Sequence, residues 1–196
     1  MKIGIIGQGF VGNAVYQKFK KYFNVLTYDL NESLCNSKEK DVHNCKIIFV
    51  CLPTPMSQNG SCWVGIVEET LNKLDDIGNP KIIVIKSTIP PNTTEKWNKR
   101  FSNLKIVFNP EFLTEANAVE DYENQNRIIL GGPRPSTTKL KPIFKKVFPK
   151  ADIIKTNSTY AEMVKYVTNS FLATKVSFAN EMYQICEKLD IDYDKV

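Results

Sequence analysis

The chain has a single histidine, His43, and five cysteines, Cys35, Cys45, Cys51, Cys62 and Cys186, none of them in a CxxC pair. That scarcity excludes a zinc site built on repeated Cys/His spacing, so no metal is expected, and the odd count argues against a disulfide framework. Free thiols fit a reducing cytoplasm. No apolar run approaches the ~20 residues needed to span a bilayer, so no membrane association is expected. The N-terminal apolar run is broken at once by Gly4 and Gly7, which rules out a signal-peptide pattern. Internal repeats and low-complexity linkers are also missing. The formal net charge is +5, with lysines grouped at 18, 20 and 21 and again at 139, 141, 145, 146 and 150. These read as solvated helix faces. With no nucleic-acid motif beside them, no nucleic-acid partner is expected, and what is left is a weak positive field for a small anion.

What the chain does have is a regular alternation. Strand-length apolar runs rich in Ile and Val recur at 2–6, 24–28, 46–51, 81–86, 104–108, 127–131 and 151–155. Segments of helical period lie between most of them, at 11–22, 64–76, 92–102 and 136–147. Strands apolar on both faces and separated by helices predict an α/β fold, a Rossmann-like doubly wound and mainly parallel sheet. Residues 1–156 form that domain. Residues 157–196 begin a second unit, a long helix opened by a capping box at Thr159-Tyr160-Ala161-Glu162 and reaching about Leu189 without Gly or Pro. Its apolar residues, including Met163, Val167, Phe171, Val176 and Phe178, lie nearly all the way round. Such a helix needs cover on several sides. The sheet can cover only part of it, so a partner chain or missing residues should cover the rest, and a homodimer through this helix is the expectation.

The first apolar run leads into Gly7-Gln8-Gly9-Phe10-Val11-Gly12, and the second ends at Asp29. A strand, a GxGxxG turn, a helix and an acidic residue about 20 positions on form the context in which this fingerprint carries meaning. Gly7 permits the tight turn, Gly9 lets the backbone approach a pyrophosphate, and Gly12 lets helix and strand pack closely. Phe10 and Val11 open the helix, whose free N–H groups and positive dipole end suit the phosphates. Asp29 can accept hydrogen bonds from the adenosine ribose and would repel a 2′-phosphate, which favours NAD over NADP.

Later strand ends add polar groups at the same sheet edge. The third runs into Leu52-Pro53-Thr54-Pro55, a rigid turn with a hydroxyl, and the fourth into Lys86-Ser87-Thr88-Ile89-Pro90. The fifth gives Asn109-Pro110-Glu111-Phe112-Leu113-Thr114-Glu115, where Glu111, just beyond a buried strand and between Phe108 and Phe112, is placed either for acid–base work or to cap a helix. In the long helix Lys165 and Asn169 share one face at i, i+4. An ammonium and an amide together can hold an oxyanion, while the plainer reading is a lysine that snorkels beside a structural asparagine.

In combination these motifs resemble the nucleotide-sugar 6-dehydrogenases, the family of UDP-glucose, UDP-N-acetylmannosamine and GDP-mannose dehydrogenases. The resemblance implies that Pro53, Thr54, Ser87, Thr88 and Glu115 line the NAD site. It implies that Glu111, assisted by Thr88, is the acid–base or water-positioning group. Lys165 and Asn169 would stabilise the oxyanion as the C6 alcohol of a nucleotide sugar, a UDP-sugar by preference, is oxidised toward the uronate. The family's second oxidation uses a cysteine in a Gly-rich segment beyond the long helix, and a second nucleotide-binding domain holds part of the sugar nucleotide. Neither lies within these 196 residues. The stretch from Asp29 to Cys45 is shorter than the family's usual excursion. Asn92 stands where glycine is usual, and Thr114 where arginine is frequent. Two other readings stay open: a compact two-electron dehydrogenase of the hydroxyacid type using Lys165 and Asn169, and a non-catalytic NAD-binding or assembly module.

Overall fold

A computed structural model describes all 196 residues. Seven strands form one sheet: β1 (Lys2–Ile6), β2 (Asn24–Tyr28), β3 (Ile47–Val50), β4 (Lys81–Ile85), β5 (Leu104–Phe108), β6 (Arg127–Gly131) and β7 (Asp152–Thr156), in the order β2-β1-β3-β4-β5-β6-β7. The first five are mutually parallel. β6 pairs antiparallel with β5, and β7 parallel with β6. Chain direction across the sheet reverses sides between β1 and β3, the switch point at which an open α/β sheet leaves a crevice at its carboxyl edge. The predicted Rossmann-like, mainly parallel architecture is therefore the one observed, and the Ile/Val runs coincide with the strands to within one residue.

The helices are α1 (Phe10–Phe19), α2 (Glu39–His43), α3 (Gly65–Asp76), α4 (Thr93–Arg100), α5 (Ala118–Asn124), α6 (Arg134–Val147) and α7 (Ser158–Lys188). They cover both faces of the sheet. One core layer gathers Ile3, Ile5, Phe19, Phe49, Phe144 and Tyr122; the other gathers Ile48, Ile83, Ile85, Leu71, Trp97 and Phe108. In the first layer Phe19 meets Phe49 edge-on at 5.0 Å and Phe144 at 5.6 Å between ring centroids, the geometry aromatic quadrupoles favour.

The start of α7 corrects the predicted capping box. Asn157 is the N-cap, its side chain accepting from the Tyr160 N–H, and Thr159 lies inside the helix. Glu162 does not fold back on its own helix. It reaches α4 and accepts from the N–H groups of Asn92 at 2.7 Å and Thr94 at 2.8 Å. Asn92 adopts the left-handed conformation, φ +71°, that asparagine tolerates better than other non-glycine residues. One buried carboxylate thus caps a helix 70 residues away and fastens α7 to the sheet domain. Replacing Glu162 by Ala strands two backbone donors, and we expect a loss of about 2–3 kcal/mol in urea unfolding.

Beyond Lys165, α7 runs out into solvent. Val167, Phe171, Leu172, Val176 and Phe178 are all more than half exposed. The chain then turns back at its end, where Tyr183 packs edge-on against Tyr193 and Cys186 is buried. No helix is long and apolar enough to cross a membrane.

Candidate functional site

A cleft of about 650 Å³ follows the carboxyl edge of the sheet. Its lining comes from successive strand ends in their spatial order. Tyr28, Asp29 and Leu30 follow β2, and Gly7, Gly9, Phe10 and Val11 follow β1. Cys51, Leu52, Pro53 and Thr54 follow β3; Lys86, Ser87 and Thr88 follow β4; Glu111 lies beyond β5.

At the glycine loop the three glycines differ as the fingerprint requires. Gly7 has φ +90°, and a Cβ there would collide with the Cys51 carbonyl. A Cβ on Gly12 would overlap the Gly7 carbonyl oxygen, so this glycine is where α1 closes on the strand. A Cβ on Gly9 would meet nothing within 4 Å. That open space lies at the α1 N-terminus, which has no side-chain cap and no acidic residue in its first turn. Uncapped amides beside an open cradle fit a pyrophosphate.

Asp29 sits next to that cradle. Its carboxylate accepts from the Gln8 N–H at 2.6 Å and the Asn31 N–H at 2.9 Å, which fixes it against the loop. Tyr28, Glu39, His43, Ile66 and Lys73 complete this end of the cleft. His43 packs edge-on against Tyr28, and burial lowers its pKa, which favours the neutral ring.

The opposite end is cross-tied. The Thr54 hydroxyl donates to the Thr88 carbonyl at 2.7 Å, and the Leu52 N–H donates to the Ser87 hydroxyl at 3.0 Å. These bonds join the ends of β3 and β4. Deeper in, Lys165 of α7 donates from one ammonium to both the Glu111 carboxylate, at 2.7 Å, and the Glu111 carbonyl, at 2.6 Å. Both side chains of this ion pair are at most 10% exposed. The remaining carboxylate oxygen of Glu111 accepts from the Leu113 N–H. Lysine has three donors, so one is uncommitted, although Lys165 does not itself line the cleft. The pairing answers the snorkelling alternative: Lys165 points inward and is neutralised by Glu111.

Lys86 is a member of this cluster that sequence reasoning passed over. It is 2% exposed, and its ammonium donates to Asn109 Oδ1 at 3.0 Å and the Pro110 carbonyl at 3.4 Å. Burial lowers its pKa to about 8 against the opposing pull of Glu111 and Cys51. The available signal was a lysine continuing a strand buried on both faces. Burial also pushes the Cys51 thiol up to about 12, which makes it a poor nucleophile at neutral pH.

Gly12 and Lys165 do not themselves line the cleft, and two further candidates lie on exposed segments away from it. Glu115 is exposed on the segment before α5 and does not line the cleft; Thr114 turns that segment by bonding Asp121 through both its N–H and its hydroxyl. Asn169 is exposed one turn beyond Lys165, where α7 has already left the sheet.

A doubly wound sheet with an uncapped helix N-terminus, a glycine cradle and a fixed acidic residue defines the class: a dinucleotide-binding domain of the dehydrogenase type. Residues 33–151 match the NAD binding domain of the UDP-glucose/GDP-mannose dehydrogenase family, and residues 159–196 match the central domain of the same family. The chain belongs to the UDP-glucose/GDP-mannose dehydrogenase family. It is 31% identical over 235 aligned positions to UDP-glucose 6-dehydrogenase TuaD of Bacillus subtilis, covering all of this chain and 51% of that protein. With the UDP-glucose 6-dehydrogenase of Rickettsia bellii it shares 34% identity over 89% of this chain and 42% of the relative. Among solved structures, a UDP-glucose dehydrogenase from Pyrobaculum islandicum superposes with a TM-score of 0.84 at 26% identity, covering 98% of this chain and 54% of that one. The chain thus spans about half the length, or less, of these relatives.

Proposed function

We propose that this chain supplies the NAD-binding half of a nucleotide-sugar dehydrogenase, one that oxidises the C6 alcohol of a UDP-sugar toward the uronate. The observation that carries the reading is the continuity of the cleft. It joins a pyrophosphate cradle and ribose-binding acid at one end to Glu111, with its partner Lys165, at the other. In this reading the amides of Phe10, Val11 and Gly12 hold the pyrophosphate, and Asp29 takes the adenosine ribose. Thr54, Ser87 and Thr88 with Pro53 flank the nicotinamide, which, when bound, supplies hydride acceptance. Glu111 holds or moves the proton of the substrate hydroxyl. The uncommitted donor of Lys165 stabilises the oxyanion, and Asn169 joins it if ligand or a partner chain closes over α7. Glu115 would reach the cofactor only after rearrangement of its segment.

The exposed apolar side of α7, from Val167 to Phe178, supports a homodimer through that helix. Sedimentation equilibrium at micromolar protein should give the dimer mass; a monomer would remove this part of the proposal. Five free cysteines fit a cytoplasmic protein. Residues 1–156 act as the cofactor domain and 157–196 as the start of the dimerisation domain.

The cofactor assignment is tested through Asp29. By calorimetry the parent chain should bind NAD at least about tenfold more tightly than NADP, because the carboxylate repels a 2′-phosphate. Asp29→Asn keeps an oxygen for the Gln8 N–H and should narrow that gap several-fold, mainly by improving NADP. An unchanged NAD/NADP ratio would count against the ribose role.

A further inference from the structure

The lysine in the floor of the cleft has no assigned part in the reading above, yet its placement is unusual. The strand ends order the cleft from Asp29, through the glycine cradle, to Lys86, Thr88 and Glu111. A dinucleotide with its first ribose at Asp29 and its pyrophosphate at Gly9 has one direction left for its nicotinamide, toward the ends of β3, β4 and β5. Lys86 lies under that end.

The groups facing its ammonium from each packed element leave it without a counter-ion of its own. Asn109 and Pro110, after β5, offer neutral oxygens. Tyr122 of α5 offers a ring face, its centroid 5.3 Å away. Cys51, after β3, is held as a neutral thiol by burial. Glu111 is the one nearby carboxylate, and it is already committed to Lys165 at 2.7 Å. Taken together, Glu111, Lys165 and Lys86 carry one positive charge in excess. The oxidised nicotinamide ring carries a positive charge, and its reduced form carries none.

We propose that the buried Lys86 ammonium weights this site toward the reduced, uncharged nicotinamide and against the oxidised, cationic one. The inference rests on the NAD reading of the cleft. Both redox forms share the same diphosphate, so whatever attraction Lys86 exerts on the phosphates cancels when the two are compared. The ring charge remains. In a site of low effective dielectric, one like charge under a cationic ring changes relative affinity by about tenfold. A cofactor site biased in this way makes the bound oxidised form a stronger hydride acceptor, so Lys86 acts as a positioning and electrostatic residue for the oxidation rather than as a group that touches the sugar.

The bias is reversible by pH. Burial places the Lys86 pKa at about 8. Around it, the Cys51 thiol and the Tyr122 hydroxyl are both shifted upward by burial, and His43, at the far end, is shifted downward. As pH rises through about 8 the ammonium loses its proton and the penalty on the cationic ring disappears, so binding of the oxidised form strengthens.

The experiment is calorimetric titration of the full chain with NAD⁺ and separately with NADH between about pH 6.5 and 9.5, alongside Lys86→Met and Lys86→Arg. For the parent, the ratio of the two dissociation constants should fall about tenfold toward equality across that range, with most of the change in NAD⁺. NAD⁺ binding near the midpoint should also release a fraction of a proton, read from buffers of different ionisation enthalpy. Lys86→Arg should hold the low-pH ratio throughout. Lys86→Met should hold the high-pH ratio throughout. A parent ratio that does not change with pH, or that changes equally in Lys86→Met, overturns the proposal without touching the NAD assignment. The parent titration decides even if Lys86→Met fails to fold. Failure of the parent to bind either nucleotide overturns the NAD reading and this inference together.

Discussion

Replacing Gly9 by Ala is expected to weaken NAD binding at least about thirtyfold, roughly 2 kcal/mol, while changing folding stability by no more than about 1 kcal/mol. The reason is the separation of roles inside one six-residue stretch, Gly7 to Gly12. Gly9 already has ordinary negative φ, −61°, and an added Cβ meets no atom of the protein. The methyl group therefore costs the fold little more than a poor N-cap, but it stands in the space a pyrophosphate needs. Gly12→Ala should do the reverse. Its Cβ would overlap the Gly7 carbonyl oxygen, so α1 would have to move off the strand. A loss of several kcal/mol in stability is expected, of the size seen when backbone must shift to relieve a core clash. Calorimetry and urea unfolding on the two variants separate a ligand cradle from a packing glycine. Equal loss of stability in both would contradict the account.

The second large effect concerns the ion pair beneath the cleft. Lys165→Met leaves the Glu111 carboxylate buried beside an apolar side chain, and we expect stability to drop by about 3–5 kcal/mol at neutral pH. Breaking one side of a buried pair costs more than removing the pair, because the survivor keeps its desolvation penalty. Lys165→Met with Glu111→Leu should therefore recover more than half of the loss. The residual deficit reflects the Leu113 N–H, which loses the carboxylate oxygen it now bonds at 2.7 Å. Urea unfolding of the two single variants and the double variant measures the coupling directly. Additive losses would mean that Glu111 and Lys165 do not share a buried site.

Much of this could be read from the sequence because the informative features are local. A strand apolar on both faces writes itself as a nearly unbroken apolar run, as in Ile82-Ile83-Val84-Ile85 and Ile106-Val107-Phe108. The glycine spacing at 7, 9 and 12 is local in the same way, and so is the left-handed tolerance of Asn92. Features decided by distant partners were not legible. Glu162 looked like the acidic end of a capping box, yet its partners Asn92 and Thr94 lie about 70 residues back. The short helices α2 and α5 hold too few turns to display a 3.6-residue period, and the reversal of β6 against β5 leaves no periodic mark. Asn169 shares a face with Lys165 by spacing, but the sheet ends before that face does, so one is buried and the other exposed. Lys86 is the clearest case. Its chemistry follows from burial and from Glu111 already being taken by Lys165, and neither fact is a property of residues adjacent in the chain.

The central claim is that one continuous cleft along five strand ends holds NAD in a fixed direction. A crystal structure of the chain grown with NAD tests it most directly. The account predicts the adenosine ribose on Asp29, the pyrophosphate over Gly9 on the amides that open α1, and the nicotinamide between Thr54 and Thr88 above Lys86. A dinucleotide bound in the opposite direction or outside the cleft, or a cleft still empty at saturating NAD, would contradict it.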